Sequence, residues 1–194
     1  MTPTRSSCFT RTYKRFWREC NEADDSCDRH HRVDYSGSRK DADPLAGNVG
    51  IPNYYRLRND IATAGQPTDE ALADVKKAGF KAVLNLRTEQ EGSLEEKPKV
   101  QALGMEYYNI PIGRDGFSPA ILEQFKEILA DGDNRPLLIH CASSNRVGAL
   151  WYIHQVLDAG EDEATALAEG KKAGLTSESL EGRAKEYVST NKSQ

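Results

Sequence analysis

A chain of 194 residues with a formal net charge of −4 is long enough for one domain with an ample core plus a tail. The acidic balance gives no argument for nucleic acid or an acidic membrane surface as partner, and no apolar run approaches the ~20 residues needed to span a bilayer. Cys8, Cys20 and Cys27 lie in a polar N-terminal stretch and Cys141 stands alone, which is not the pattern of a disulfide framework.

Residues 1–43 differ from the rest. Arg5, Arg11, Lys14, Arg15 and Arg18 precede the first acid, Glu19, and acids then crowd in from Glu22 to Asp34. Without apolar periodicity the segment is expected to be disordered, either as a native extension or as a stretch outside the native protein. Its first eighteen residues have the composition of an organellar transit peptide and lack the apolar centre of a secretory signal. The expected compartment is the cytoplasm. Cys20, Cys27, His30 and His31 match no common zinc module, so no metal is expected there.

Folded structure is expected from Asn48 to Val188, with a short tail over 189–194. Tyr54–Leu57 and Ile61–Ala64 have strand character around Arg58-Asn59-Asp60. Gly65-Gln66-Pro67 turns the chain. Thr68 caps a helix carrying Leu72, Val75 and Ala78 and ending at Gly79. Phe80–Leu86 is a strand, Arg87–Gly92 a polar loop, Pro98–Leu103 a helix and Met105–Ile112 a further strand. Gly113–Phe117 is a flexible loop. Ser118, with Pro119 at the first helical position, opens a helix with a stripe of Ile121, Leu122, Phe125, Ile128 and Leu129.

The stretch from Pro136 to Gly148 carries the chemistry. Leu137–Ile139 is too short an apolar run for a helix and follows a turn proline, so it predicts a buried strand. Val147, Leu150, Ile153, Val156 and Leu157 then recur at helical spacing up to Gly160. Cys141 therefore ends a strand and Arg146 opens a helix. The loop between them can aim backbone N–H groups inward at the positive end of the helix. Those dipoles favour a thiolate, and a guanidinium five residues on can return to the same point as a two-pronged donor for an oxyanion. This predicts covalent phosphoryl or sulfur transfer. Two last helices are expected over Glu163–Lys172 and, behind Ser177, over Glu178–Val188. Strands alternating with helices imply an α/β fold: a central, mainly parallel sheet flanked by helices, with ligands at the C-terminal ends of its strands.

Four motifs stand in order: Ala64-Gly65-Gln66-Pro67; Val83-Leu84-Asn85-Leu86-Arg87; Ile110-Pro111-Ile112 with Asp115; and His140-Cys141 with Arg146 and Gly148. Together they resemble the cysteine-dependent dual-specificity phosphatase superfamily over residues 48–188. The resemblance is strongest to its bacterial branch, the phosphatase-like domain of beta-lactamase-hydrolase-like proteins. It implies hydrolysis of a phosphate monoester, on a protein or a small molecule, through a phosphocysteine on Cys141. No metal and no cofactor are implied. Arg146 would clamp the phosphate and Asp115 would serve as general acid. His140, Ala142, Ser143, Ser144, Asn145 and Val147 would make the phosphate loop. Arg87 would support the loops or reach substrate, with an ion pair to Glu89 or Glu91 as the alternative.

Two features depart from the superfamily pattern. Only four residues separate Cys141 from Arg146, where five are usual, and Val147 replaces a hydroxyl residue that helps the thiol leave. Ser143 or Ser144 could substitute. A four-residue loop also occurs in rhodanese-like sulfurtransferases, so a Cys141 persulfide enzyme and an inactive phosphate-binding module are the competing readings. Gln66 is expected to be structural, and His154, Trp151 and Tyr152 to be packing residues.

Overall fold

The computed structural model describes residues 43–192. The N-terminal extension, its transit-like stretch and its cysteines and histidines thus lie outside the described residues, apart from Asp43 at its end. Asp43 accepts from Tyr54 Oη at 2.8 Å and pairs with Arg56 Nε at 2.8 Å, and Leu45 is buried. Folded structure therefore begins ahead of Asn48, because that segment closes the end of one core.

Five short strands form one sheet: β1 (Tyr55–Arg58), β2 (Ile61–Ala64), β3 (Ala82–Asn85), β4 (Glu106–Asn109) and β5 (Leu137–His140), in spatial order β1-β2-β5-β3-β4. β1 is antiparallel to β2; the other pairings are parallel. Six α-helices complete the unit: α1 (Asp69–Lys77), α2 (Ser93–Ala102), α3 (Pro119–Ala130), α4 (Asn145–His154), α5 (Glu163–Lys172) and α6 (Glu178–Asn191). Among the described residues no helix is long and apolar enough to cross a membrane.

β5 is central and covered on both faces, which is why its sequence is continuously apolar before His140. The two-residue strand period divides the core. Ile61, Leu84, Leu137 and Ile139 pack with Leu122 and Phe125 of α3, Leu150 of α4, Ala166 of α5 and Val188 of α6. Ala62, Val83 and Leu138 point the other way, to Leu72 and Val75 of α1 and Val100 of α2.

The expected caps are present. Thr68 Oγ1 accepts from Ala71 N at 3.2 Å, and Ser118 Oγ from Ile121 N at 3.4 Å. The strands expected over Phe80–Leu86 and Met105–Ile112 are shorter, at Ala82–Asn85 and Glu106–Asn109, and three helix boundaries also differ from expectation. α2 starts at Ser93, with Pro98 in its interior, because the turn Glu89–Glu91 and left-handed Gly92 (φ 86°) lead straight into it. α4 passes into a π-helical turn, Gln155–Ala159, before stopping at left-handed Gly160. α6 continues through Asn191, so the expected tail begins as helix.

Beyond the strand ends the ladder persists. Leu86 N donates to His140 O at 2.8 Å, and Ile112 N to Leu86 O at 3.1 Å. These bonds bring the chain after β3 and after β4 up beside the cysteine loop.

α4 and α5 cross at Gly148 and Gly170. A Cβ on Gly148 would stand 2.3 Å from Gly170 O and 2.6 Å from Leu175 N, both backbone atoms. Gly182 in α6 has nothing within 4 Å of its notional Cβ. Gly148→Ala is expected to destabilise by ~3 kcal/mol or more through overpacking, and Gly182→Ala to stabilise by ~0.5–1 kcal/mol. Opposite shifts in melting temperature, ~2–4 °C per kcal/mol for a domain of this size, are the check.

Candidate active site

Cys141 follows β5 directly and is 1% exposed. Its loop is fixed from three sides. Asn53 Nδ2 donates to Ser143 O at 3.2 Å, and Gln66 N to Ala142 O at 3.1 Å. Ser144 takes a left-handed conformation (φ 67°) unusual for a residue with a side chain, and its Oγ donates to Ala173 O at 2.7 Å. Gly174, at φ 111°, lies against it; a Cβ there would meet Ser144 Cβ at 2.4 Å. Asn145 Oδ1 accepts from Thr176 N at 2.8 Å and Ser177 N at 2.7 Å. The α5–α6 turn thus clasps the start of α4.

These contacts leave a set of donors unused. The N–H groups of Ala142, Ser143, Asn145, Arg146 and Val147 have no hydrogen-bond acceptor among the described residues. They belong to one loop and the first turn of one helix, where unpaired N–H groups and the helix dipole favour an anion. Val147 is buried at 1% exposure.

Arg146 is held by a residue that sequence reading offered only as a partner for Arg87. Its Nη1 donates to Glu91 Oε2 at 2.8 Å and its Nη2 to Glu91 Oε1 at 2.6 Å. Nη1 also reaches Ile112 O at 3.0 Å and Leu86 O at 3.4 Å. Glu91 is in turn fixed by Thr88, whose N and Oγ1 donate to Oε2 at 2.9 and 3.0 Å. The arginine holds the Glu91 carboxyl down to about 2, while the Glu91 carboxylate first, and the Cys141 sulfur as well, push the Arg146 guanidinium further up. A guanidinium has five N–H donors in a plane. Glu91 and the two carbonyls occupy Nη1 and one hydrogen of Nη2, and Nε–H with the second Nη2–H has no oxygen acceptor among the described residues.

Arg87 does not pair with Glu89 or Glu91. Its Nη1 donates to Gln66 Oε1 and lies 3.8 Å from Glu96 Oε2. Gln66 is therefore a structural link, as expected. Glu96 is only 4% exposed and accepts from Asn85 Nδ2; its Oε1 lies 3.2 Å from Nε2 of His140, which is 0% exposed. His140 Nδ1 is 3.4 Å from Cys141 O. His140 thus lies on the sheet face opposite the Cys141 side chain.

Asp115 is exposed, on a turn just past Ile112, and has no hydrogen-bond or ion-pair partner among the described residues. It lines a surface concavity with Phe117, Arg183 and Tyr187, and Arg183 Nη2 donates to Arg114 O at 2.7 Å. The structure does not bring Asp115 into contact with Cys141. Three residues of chain, at most ~10 Å, separate it from the Ile112 carbonyl that Arg146 touches. The Ser144 hydroxyl, expected as a substitute beside the thiol, is engaged elsewhere, and Ser143 Oγ accepts from Asn145 Nδ2 at 3.3 Å. His154 is a packing residue, edge-on to Phe125 with ring centroids 5.5 Å apart, and Trp151 and Tyr152 are buried. No group of three or more His, Cys, Asp or Glu side chains among the described residues could hold a metal ion.

A cysteine at the end of a central parallel strand, a loop of unpaired N–H groups after it and an arginine on the following helix turn are the features of the cysteine phosphatase-like class of α/β proteins. The chain belongs to the family of DSP-PTPase phosphatases fused to NAD+ kinase, whose pattern it matches over residues 54–189. It is 28% identical over 108 residues to a beta-lactamase hydrolase-like protein of Agrobacterium fabrum, a match covering 53% of this chain and 25% of that one. The chain spans about a quarter of the length of the curated relatives it matches. Among solved structures it is similar to a DUF442 protein of Shewanella putrefaciens (TM-score 0.61, 19% identity, 81% of this chain and 98% of that one). It is also similar to P. aeruginosa TpbA in complex with pTyr (TM-score 0.56, 20% identity, 70% of this chain and 82% of that one).

The Glu91–Arg146 pair has a pH signature. With the folded-state Glu91 at about 2 against an ordinary 4.5, its contribution is fully present above pH 4.5 and lost as pH falls toward 2. The stability difference between wild type and Glu91→Gln is expected to be constant from pH 8 to 5 and to shrink below that. Denaturant midpoints at pH 6 and pH 3 measure it; equal differences at both would remove Glu91 from this role.

Proposed function

We propose that this chain is a cysteine-dependent phosphatase that hydrolyses phosphate monoesters through a phosphocysteine intermediate, with no metal or cofactor. The observation that carries the reading is the set of N–H groups at Ala142, Ser143, Asn145, Arg146 and Val147, unpaired among the described residues in the loop and helix turn that directly follow a buried cysteine. In this reading the Nε–H and Nη2–H fork of Arg146 and these N–H groups bind three phosphate oxygens. The Cys141 thiolate attacks phosphorus in line, the P–O ester bond breaks, and Asp115 gives its proton to the leaving oxygen. Water then attacks phosphorus, Asp115 takes the proton back, and the thiolate leaves as inorganic phosphate forms. The substrate is a phosphorylated protein side chain or small molecule; the pTyr held by TpbA is an example of the group. Membership of a phosphatase family and the Nε–H and Nη2–H fork of Arg146 support this over persulfide transfer, which needs no bidentate oxyanion clamp.

Val147 carries no hydroxyl and that of Ser144 is engaged, which leaves only the exposed Ser143 to help the thiolate depart, so the second step should be the slow one. Rapid-quench intact mass is expected to show about 80 Da added on Cys141, one phosphoryl group. A persulfide of about 32 Da after thiosulfate, without inhibition by vanadate, would establish sulfur transfer instead. Arg146→Lys keeps the charge and loses the fork. It is expected to lower turnover on the order of 100-fold, ~3 kcal/mol of transition-state stabilisation, and to weaken vanadate inhibition.

Asp115→Asn is expected to lower turnover ~100-fold on alkyl phosphates, within the range of general acid catalysis, and much less on aryl phosphates, whose leaving groups need little protonation. A loss of the same size on both would exclude Asp115 as the acid.

A further inference from the structure

We propose that Arg183 is a positioning residue for the general acid: from one face of α6 it holds the backbone of the turn that carries Asp115, and so sets where that carboxyl stands relative to the cysteine loop. This rests on Asp115 being the acid of the reading above.

The turn has little of its own to hold it. From Gly113 to Phe117 the one internal backbone bond runs from Gly116 N to Gly113 O, at 3.3 Å. α6 grips the chain on both sides of Asp115. Arg183 Nη2 donates to Arg114 O at 2.7 Å. Four residues on, one turn along the same face of the helix, the Tyr187 ring meets the Phe117 ring at 65°, with centroids 6.2 Å apart. The Arg183 guanidinium also lies over Gly116, which is buried although Gly113, Arg114 and Asp115 are exposed. Gly116 takes φ 80°, and a Cβ there would fall on Arg183 Nη2, so this close cover needs glycine.

The same helix is tied to the nucleophile's loop. At its start Thr176 N and Ser177 N donate to Asn145 Oδ1, in the first turn of α4. From Ser177 to Arg183 is ~9 Å of helix. One rigid element is therefore fixed to the cysteine loop at its first residues and to the acid's turn less than two helical turns further on. A proton donor must stand within hydrogen-bond reach of the leaving oxygen, and a misplacement of ~1 Å costs on the order of 100-fold. Asp115 makes no polar side-chain contact among the described residues, so its backbone alone places it. An arginine that merely covered a turn would change stability. An arginine that positions the acid changes the step in which Asp115 gives its proton to the leaving oxygen, and leaves the cysteine loop as it was.

The test uses the full chain and Arg183→Met, which keeps the stem and loses the donors. Position 183 is exposed on a helix and Met is a good helix former, so the variant folds. It is expected to lower kcat ~10-fold on an alkyl phosphate and less than ~2-fold on p-nitrophenyl phosphate, whose leaving group needs little protonation. With Asp115→Asn added, the alkyl rate is expected to equal that of Asp115→Asn alone, because the arginine then has no acid left to position. Equal losses on the two esters, or losses that multiply in the double variant, are what a structural role gives and would overturn the proposal. A second readout needs no turnover. Amide exchange at Gly116, followed by NMR, is expected ~10-fold faster in Arg183→Met, with that of Gly148, whose N–H bonds Ser144 O, unchanged. Unaltered exchange at Gly116 would overturn the proposal whatever the rates. A wild type that hydrolyses neither ester, with Gly116 exchange still dependent on Arg183, would sink the phosphatase reading and leave Arg183 as the residue that fixes this turn.

Discussion

Everything at this site depends on β5 lying between β2 and β3 in parallel register. Thr63, Leu84 and Ile139 stand level, and one step on so do Ala64, Asn85 and His140. All three strands therefore end together, and the loops after Ala64, Leu86 and His140 meet on one edge. The two-residue period then separates the last two residues of interest. His140 turns to the α1–α2 face and Cys141 to the α3–α6 face. One sheet position thus gives a thiol beneath its loop and, on the opposite face, a buried imidazole beside Glu96.

Arg146 shows the same economy across loops. An arginine in the first turn of a helix is disfavoured by the helix dipole. Here the neighbouring loops compensate: Glu91 binds two of its nitrogens, and the carbonyls of Leu86 and Ile112 take a third direction. Glu91 can do this because Thr88 fixes it through a capping box at the end of β3. The guanidinium is consequently oriented before any ligand arrives, so little conformational entropy remains to be lost on binding.

Much of this was legible in the sequence because it rests on local rules. Thr68, Ser118 and Ser177 are capping residues at the helix starts where they were expected, and the apolar run of Leu137–Ile139 announced a strand covered on both faces. Thr88-Glu89-Gln90-Glu91 also had the spacing of a capping box, a signal that would have placed Glu91 beside the loop. Other features had no local signal. Pro98 suggested a helix start, which put Glu96 outside the helix, and only the packed structure shows its carboxylate against His140. Tertiary contacts with Gln66 and Glu96 likewise took Arg87 from its nearer acids. Asp115 lies on a turn flanked by Gly113 and Gly116, where spacing says nothing about the direction of a side chain.

The short loop is best understood through what braces it. With one residue fewer than usual between cysteine and arginine, the chain must turn more sharply, and Ser144 does so at φ 67°. That strain persists only if the surroundings hold it. Ala173 O accepts the Ser144 hydroxyl, Gly174 leaves room for its Cβ, and Asn145 ties the α5–α6 turn to the same point. The helices that follow the loop are therefore part of the site: they hold a conformation in which five N–H groups of one loop and helix turn stay unpaired among the described residues. A loop needed only to carry one sulfur atom would have no use for so many unpaired donors and an oriented guanidinium beside them. An anion with several oxygens would use them all.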